Sequence, residues 1–231
     1  MPEIRFDAVS LSSGDTVLLE PFTATLTEQR IGLIGPNGSG KSTLLRLING
    51  LSTPTSGDVV VNGISVRRDP RSVRRAVGFI FSNADDQIIM PTVGEDVGFS
   101  LTRFRLSTDE RAERIQALLE RVGLDGKADQ TPHTLSGGEK QLLALASVLA
   151  VEPEIIVADE PTTLLDMKNR LRLASEFATL SQQLIVATHD LELLTDFDRV
   201  LYINNGRVVA DGAPPEVVDR YLADATGTAD A

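Results

Sequence analysis

The sequence predicts an α/β fold in which a largely parallel core sheet carries an N-terminal antiparallel β-subdomain and an inserted helical subdomain. Short, almost wholly apolar runs such as RIGLIG (30–35) and EIIVAD (154–159) are typical of strands buried on both faces. A glycine-rich loop joins the first run to a helical segment, and helical periodicity fills the middle third. We expect one domain over residues 1–222, its helical subdomain at about 92–152, and a disordered tail over 223–231.

The N-terminal third alternates between strand patterns and turn residues. EIRFDAV (3–9) has period-two patterning, and TVLLEPFTATLTEQ (16–29) predicts two short strands broken at Pro21. SGDVVVNGISV (56–66) predicts a hairpin that turns at Asn62-Gly63, a dipeptide typical of two-residue hairpin loops. These segments together predict the antiparallel subdomain.

The remaining two thirds are helical and then alternating. Ser107 precedes a helix with Glu110 three residues on, which is a capping-box signature. After the EIIVAD strand, we expect a helix over 166–181, a strand at QLIVATH (183–189) and a hairpin that turns at Asn205-Gly206. This alternation predicts a return to the core sheet.

The composition excludes several kinds of site and partner. A net charge of −11 argues against nucleic acid, because phosphate backbones attract an excess of Lys and Arg. One arginine-rich run leaves open either a local basic patch or a solvated face (Arg67, Arg68, Arg71, Arg74 and Arg75). The chain has no cysteine, which excludes disulfides and thiolate metal sites and fits a reducing cytoplasm. No apolar run approaches the ~20 residues that span a bilayer, so a membrane role would require a partner.

The loop GPNGSGKST (35–43) predicts a phosphate-binding cradle. It fits G-x-x-x-x-G-K-[ST] with a strand before it and a helix after it, the pattern of a P-loop NTPase core. Glycines let backbone N–H groups surround phosphate oxygens, and the helix start adds its positive end. Lys41 is expected to reach the β- and γ-phosphates, and Ser42 to bind Mg²⁺. The expected nucleotide contacts are Gly35, Asn37, Gly38, Ser39, Gly40, Lys41, Ser42 and Thr43.

Acidic residues follow a second buried strand. Asp159 and Glu160 come at its carboxyl end, where ligands bind in open parallel sheets. Asp159 is placed to hold Mg²⁺, and Glu160 to polarise a water for attack on the γ-phosphate. His189 ends the next strand and is expected to contact the γ-phosphate. The alternatives are a strand that merely ends in acids and a structural histidine.

A second glycine pair lies in LSGGEKQ (135–141), at the start of a long helix. It predicts another anion site, and one chain rarely needs two for one nucleotide. The second site therefore favours a nucleotide that is held by another subunit. The cradle, LSGGE, IIVADEP and ATHD, in that order, resemble the nucleotide-binding subunit of ATP-binding cassette (ABC) transporters over roughly residues 3–218.

The resemblance implies a sandwich of two subunits around two ATP molecules, with Mg²⁺ as the metal. Ser136, Gly137 and Gly138 would face the partner's γ-phosphate, and EPTTLLD (160–166) would supply a D-loop with Asp166 at the dimer seam. The implied partners are a second ATPase subunit (the same chain or a different one) and two membrane subunits, one for coupling and one for substrate binding. The implied location is peripheral, on the cytoplasmic face of the cell membrane.

The segment VGFIFSNADDQIIMPTVGEDVGF (77–99) resembles the ATPases of energy-coupling-factor importers, which take up vitamins or nickel and cobalt ions. The short chain is similar to the biotin importer's ATPase. Ser82 stands where the family has a glutamine that contacts Mg²⁺ and the attacking water, and Gln87 cannot simply replace it. No aromatic residue lies near Leu11 to stack on adenine, so Val17 is expected to pack on the base.

Three functions remain open at this point. The leading hypothesis is an ATP-hydrolysing subunit that energises such an importer, with Glu160, His189, Lys41 and Ser82 as catalytic residues. The second is a soluble ABC ATPase without a transporter. The third is a regulatory module that holds ATP with little turnover, which the serine at position 82 would suit.

Overall fold

The computed structural model describes residues 2–227. In chain order the strands and helices are β1 (Ile4–Ser13), β2 (Thr16–Leu26), β3 (Arg30–Ile34), α1 (Lys41–Ile48), β4 (Ser56–Val61), β5 (Ile64–Ser65), α2 (Pro70–Ala76), β6 (Val77–Ile80), α3 (Val93–Ser100), α4 (Thr108–Arg121), α5 (Gly137–Leu149), β7 (Ile155–Asp159), α6 (Met167–Thr179), β8 (Gln183–Ala187), β9 (Arg199–Asn204), β10 (Arg207–Gly212) and α7 (Pro214–Thr226). The predicted α/β fold is confirmed.

The chain divides into two compact units. The first contains the residues up to Val77, Glu154–Glu160 and the residues from Ser181 onward, and the second contains Gly78–Pro153 and Pro161–Leu180. The helical segment expected at about 92–152 lies within the second unit. That unit is wider than expected, because it also takes in residues 78–91 and the α6 segment.

The antiparallel sheet of the first unit has the strand order β2-β1-β4-β5. The β4–β5 hairpin turns at Asn62-Gly63 as predicted, with positive φ at both residues. The predicted break at Pro21 is wrong, since β2 is one continuous strand. A proline is tolerated there because β2 lies at the edge of the sheet, where one row of N–H groups has no strand partner.

The core sheet of the first unit places the candidate site. Its strands run in the order β10-β9-β3-β8-β7, with β3 parallel to both β8 and β9 and β7 parallel to β8. Leu33 pairs with Ala187, and Ala187 pairs with Asp159. Carboxyl ends of parallel strands share one edge, so the loops after β3, β7 and β8 emerge side by side.

The second unit is built from capped helices. Capping boxes begin α3 at Thr92, α4 at Ser107 and α5 at Ser136, and the box at Ser107 confirms the prediction. The Ser147 hydroxyl on α5 donates to the buried Asp96 carboxylate on α3 at 2.8 Å. This buried hydrogen bond ties the two helices together.

The arginine-rich run forms a solvent-facing segment of the first unit. Arg67 donates to the carbonyl of Pro54 at 2.7 Å, and Arg74 donates to that of Gly50 at 2.8 Å. The structure places all five arginines at exposed positions (Arg67, Arg68, Arg71, Arg74 and Arg75). Exposure of all five side chains agrees with both alternatives, the local basic patch and the solvated face.

The C-terminal helix α7 extends further than expected. Its apolar face packs against a cluster that includes Val200 and Tyr202, with the rings of Tyr202 and Tyr221 centred 5.3 Å apart. This packing carries the helix to Thr226, where Gly227 caps it in the left-handed conformation. Disorder is thus a wrong expectation for 223–226, and residues 228–231 lie outside the described part. None of the described helices has the length and apolar character of a membrane span.

Gly35 allows the closest backbone approach at the edge of the sheet. Its φ is +145°, and a Cβ built there would lie 1.9 Å from the carbonyl oxygen of Ile203 in β9. Gly14, in the β1–β2 turn, has φ +58°, but a Cβ built there meets no atom within 4 Å. A substitution at Gly35 would therefore cause a steric clash with β9, whereas one at Gly14 would cause only backbone strain.

We predict that Gly35→Ala destabilises the protein far more than Gly14→Ala. The control variant should lose about 1–2 kcal/mol for its left-handed backbone. Gly35→Ala must also displace strand backbone and should lose more than about 3 kcal/mol. Thermal unfolding followed by circular dichroism measures both, and equal shifts in Tm would contradict the observed approach of β9.

Candidate active site

The loop between β3 and α1 is held in place by residues that lie outside it in the sequence. The Gly206 N–H, at the tip of the β9–β10 hairpin, donates to the Ser39 carbonyl at 2.9 Å, and the Glu20 N–H of β2 donates to the Gly206 carbonyl at 2.8 Å. A Cβ at Gly40 would lie 2.8 Å from Leu19. The loop conformation therefore depends on close contacts with strand β2 and with the tip of the β9–β10 hairpin, both of which lie outside the loop.

This loop has the features of an anion cradle. The buried Ser39 hydroxyl has no hydrogen-bond partner among the described residues, and Gly38 faces open space at φ +77°. The residue Lys41 is only 5% exposed, and its amine donates to the carbonyls of Gly35 at 2.7 Å and Pro36 at 3.1 Å. Burial lowers the pKa of Lys41, while Glu160 and Asp159 oppose that shift. Phosphate oxygens would be stronger acceptors for this amine than the two neutral carbonyls, so the residues fit a nucleotide.

Ser42 and Asp159 lie together beside the cradle. The Ser42 hydroxyl donates to Asp159 Oδ1 at 2.8 Å. Burial raises the pKa of Asp159, against the opposing effects of the Ser42 hydrogen bond and Arg46. No group of three or more metal-binding side chains occurs among residues 2–227. A hydroxyl and a single carboxylate suit Mg²⁺, which commonly keeps waters and shares substrate phosphates.

Glu160 follows β7 in a strained conformation. Its φ is +49°, a region that a non-glycine residue rarely adopts, and its N–H donates to the Ala187 carbonyl at 2.8 Å. Its Oε2 accepts from the backbone N–H of His189 at 3.2 Å and lies 2.7 Å from His189 Nδ1. Its Oε1 is buried 3.8 Å from the Lys41 amine and accepts no hydrogen bond from residues 2–227. This free oxygen is an acceptor that a water could satisfy.

The start of α5 in the second unit is fixed by its own capping box. The Ser136 N–H donates to Glu139 Oε2 at 2.9 Å, and the Glu139 N–H donates to the Ser136 hydroxyl at 3.3 Å. The hydrogen bond from Lys127, followed by that from the Ser136 backbone, lowers the pKa of Glu139 to about 2. Glu139 is therefore ionised at neutral pH and holds Ser136 at the helix N-terminus.

Both glycines of this motif lie close to the α6 segment of the same unit. A Cβ at Gly138 would lie 2.2 Å from the Asn169 side chain, whereas one at Gly137 would be in ordinary contact with the Leu164 carbonyl at 3.6 Å. Asp166 caps α6 by accepting from the Asn169 N–H at 2.8 Å. Gly138 is thus required for packing, and Gly137 keeps a more open backbone.

Two of the predicted site residues lie at exposed positions. Val17, in β2, is 51% exposed, and Ser82 is exposed just after β6. Ser82 lines a small cavity together with Gly137 and Gln141. Their expected roles towards adenine and Mg²⁺ stay predictions. The support that Gly206 gives to Ser39 was missed, because a hairpin signal says nothing about contacts made elsewhere in the chain.

The profile of the family described as ABC transporter matches residues 22–163, and the chain therefore belongs to that family. It is an ATPase, like the ATP-binding subunits of the family. The biotin transport ATP-binding protein BioM of Rhizobium etli is 48% identical over 218 residues, with 94% of this chain and 97% of BioM covered.

Two further comparisons support the same family. The energy-coupling factor transporter ATP-binding protein EcfA of Methanothermobacter thermautotrophicus is 41% identical over 196 residues, with 82% of this chain and 63% of EcfA covered. The dimeric structure of the ATP-binding cassette MJ0796 in a post-hydrolysis state with ADP and Pi superposes with a TM-score of 0.83 at 28% identity, covering 91% of this chain and 98% of that one. The predicted resemblance to energy-coupling-factor ATPases is confirmed.

We predict that Glu160→Gln lowers the rate of ATP hydrolysis by about 10²–10⁴-fold while ATP still binds, because the amide cannot take a proton from water. Phosphate release measures turnover, and a fluorescent ATP analogue measures binding. Glu113→Gln, an exposed change on α4, is the matched control and should keep full activity. Unchanged turnover in the Glu160 variant would refute its role as the base.

Proposed function

We propose that this chain is the ATP-hydrolysing subunit of an energy-coupling-factor importer, with biotin as its cargo. The observation that carries the ATPase role is the joint placement of Lys41, Ser42, Asp159, Glu160 and His189 at one edge of the core sheet. The name of the similar BioM protein supports the cargo. Another vitamin, or nickel or cobalt ions, is the second candidate, which the likeness to EcfA leaves open.

The site's own residues divide the hydrolysis between them. Lys41 would exchange its loop carbonyls for the β- and γ-phosphates of bound ATP. Ser42 and Asp159 would hold Mg²⁺, which would supply positive charge to neutralise the phosphates. Glu160 accepts a proton from water as the water oxygen bonds to the γ-phosphorus, and the bond to the bridging oxygen of ADP breaks. His189 holds Glu160 Oε2, which leaves Oε1 for that water.

A second ATPase subunit completes each nucleotide site in this proposal. Ser136 and Gly137 begin the 13-residue helix α5, where N–H groups and the helix dipole attract anions. The similar MJ0796 structure is dimeric with ADP and Pi. We infer that Ser136, Gly137 and Gly138 meet the partner's γ-phosphate, with Asp166 at the seam. The partner is the same chain or a different ATPase.

We predict that ATP and Mg²⁺ drive the Glu160→Gln protein into a dimer, and that adding Ser136→Ala weakens that dimer. Ser107→Ala is a matched control, since it removes an equivalent cap from α4 at a similar cost of about 1 kcal/mol. Light scattering after size-exclusion chromatography reports the mass. A protein that stays monomeric with ATP, even with its membrane partners present, would overturn the dimer proposal.

The membrane partners and the cargo follow from the importer proposal. The ATPase would sit peripherally on the cytoplasmic face of the membrane, bound to a coupling subunit and a substrate-binding subunit. The net charge of −11 fits this role better than one on nucleic acid. Val17 would pack on adenine from its exposed position in β2.

We predict that integral membrane proteins co-purify with the tagged chain, and that cells expressing the set take up labelled biotin. Glu160→Gln should abolish that uptake, and Glu113→Gln should leave it intact. If these cells instead take up nickel or cobalt ions, and Glu160→Gln abolishes that uptake, the cargo is a metal ion and not biotin. If no membrane protein co-purifies while phosphate release persists, the chain is a soluble ABC ATPase; if neither occurs, it is a regulatory ATP-binding module.

A further inference from the structure

Two glutamines hydrogen-bond to the backbone of the residue that precedes Ser82. Gln141 Nε2 donates to the Phe81 carbonyl at 3.0 Å, and the Phe81 N–H donates to Gln87 Oε1 at 3.3 Å. The Phe81 carbonyl belongs to the peptide unit that leads into Ser82. Both polar groups of the Phe81 backbone are therefore hydrogen-bonded to glutamine side chains.

The two glutamines are themselves firmly placed. Gln141 lies in the first turns of α5 and is 3% exposed. Gln87 ends a short 3₁₀ turn, whose residue Asp85 is paired with Lys140 of α5 at 2.7 Å. The beginning of α5 thus contacts the segment after β6 at two points, through the ion pair of Lys140 and the hydrogen bond of Gln141.

These contacts with α5 matter more for placing the side chain at position 82 when that residue is a serine than when it is a longer residue. Serine has one side-chain torsion before its hydroxyl oxygen, so a given backbone limits that oxygen to three staggered positions, whereas a glutamine can compensate through three torsions. Ser82 is exposed and its hydroxyl has no hydrogen bond to the residues that the structure describes. The orientation of the Phe81–Ser82 peptide therefore determines which few positions that hydroxyl can occupy.

We propose that Gln141 and Gln87 are positioning residues that hold Ser82 for ATP hydrolysis. This inference rests on the proposed ATPase function and on the role towards Mg²⁺ and the attacking water that the sequence predicts for Ser82. Both glutamines act through the backbone that carries Ser82, so their loss lowers kcat and leaves the KM for ATP nearly unchanged. Because Gln87 acts as an acceptor, a glutamate in its place retains the function, and a methionine of similar shape does not.

The test measures phosphate release by the purified full-length chain. Gln87→Met and Gln141→Met should each lower kcat by about 3- to 10-fold, the effect of losing one ordinary hydrogen bond. Gln87→Glu should restore most of the loss. Gln116→Met is the matched control, since it removes only a surface hydrogen bond to Glu120 on α4, and it should keep full activity.

A double-mutant cycle with Ser82→Ala separates positioning from general stability. If Gln87 acts through Ser82, the double variant Ser82→Ala/Gln87→Met loses no more than the worse single variant. Losses that multiply, or a Gln87→Glu variant as slow as Gln87→Met, would overturn the inference. Gln87 is only partly buried, so its variants keep the test available if Gln141→Met does not fold, which thermal unfolding reports.

The outcomes also distinguish this inference from the proposed function. If Ser82→Ala has full activity, the role of Ser82 fails and the inference fails with it, although the Glu160 result can still stand. If Ser82→Ala is slow while the methionine variants are not, only the positioning by the glutamines is refuted.

Discussion

The parallel pairing of β3, β8 and β7 is the constraint on which the candidate site depends. Leu33, Ala187 and Asp159 stand in register across three strands that are far apart in the sequence. Residues just beyond them must then emerge at one edge, so the cradle, the acid pair and His189 become neighbours. No local signal in any one segment could produce this arrangement, and a shift of one residue would turn each side chain to the opposite face.

The electrostatics of this edge leave specific groups unsatisfied. Two acidic residues, Asp159 and Glu160, lie beside one buried lysine, and burial acts against the charged forms of Lys41 and Asp159. The Ser39 hydroxyl and Glu160 Oε1 are buried and form no hydrogen bond within the described part of the chain. Buried polar atoms without partners are costly, and both lie on elements that a triphosphate, its metal ion and a water would contact. The unfavourable burial of these polar and charged groups thus occurs at the candidate nucleotide site, where the binding of ATP, its metal ion and a water can compensate for it.

Much of the fold and of the candidate site could be predicted because the signals are local. The capping box at Ser107 and the hairpin at Asn62-Gly63 are each decided within a few residues, and both were predicted. The continuous β2 through Pro21 was not, because its tolerance depends on the edge position in the sheet. The extension of α7 depends on packing against Tyr202. The site residues were found from motifs, whereas the contacts that hold them, such as Gly206 on Ser39, are long-range.

Ser82 shows why a motif alone is a limited basis for predicting the role of a residue, because a motif does not describe how the backbone is held. A motif is matched by comparing side chains position by position. By that comparison the side chain of Ser82 is shorter than the glutamine expected there and extends less far from the backbone. The structure adds that the backbone before it is fixed by Gln141 and Gln87 at both of its polar groups. A short side chain on a held peptide spans fewer conformations than a long side chain on a mobile one, so less conformational entropy is lost when it binds. The reach of a residue and the rigidity of its backbone therefore have to be judged together.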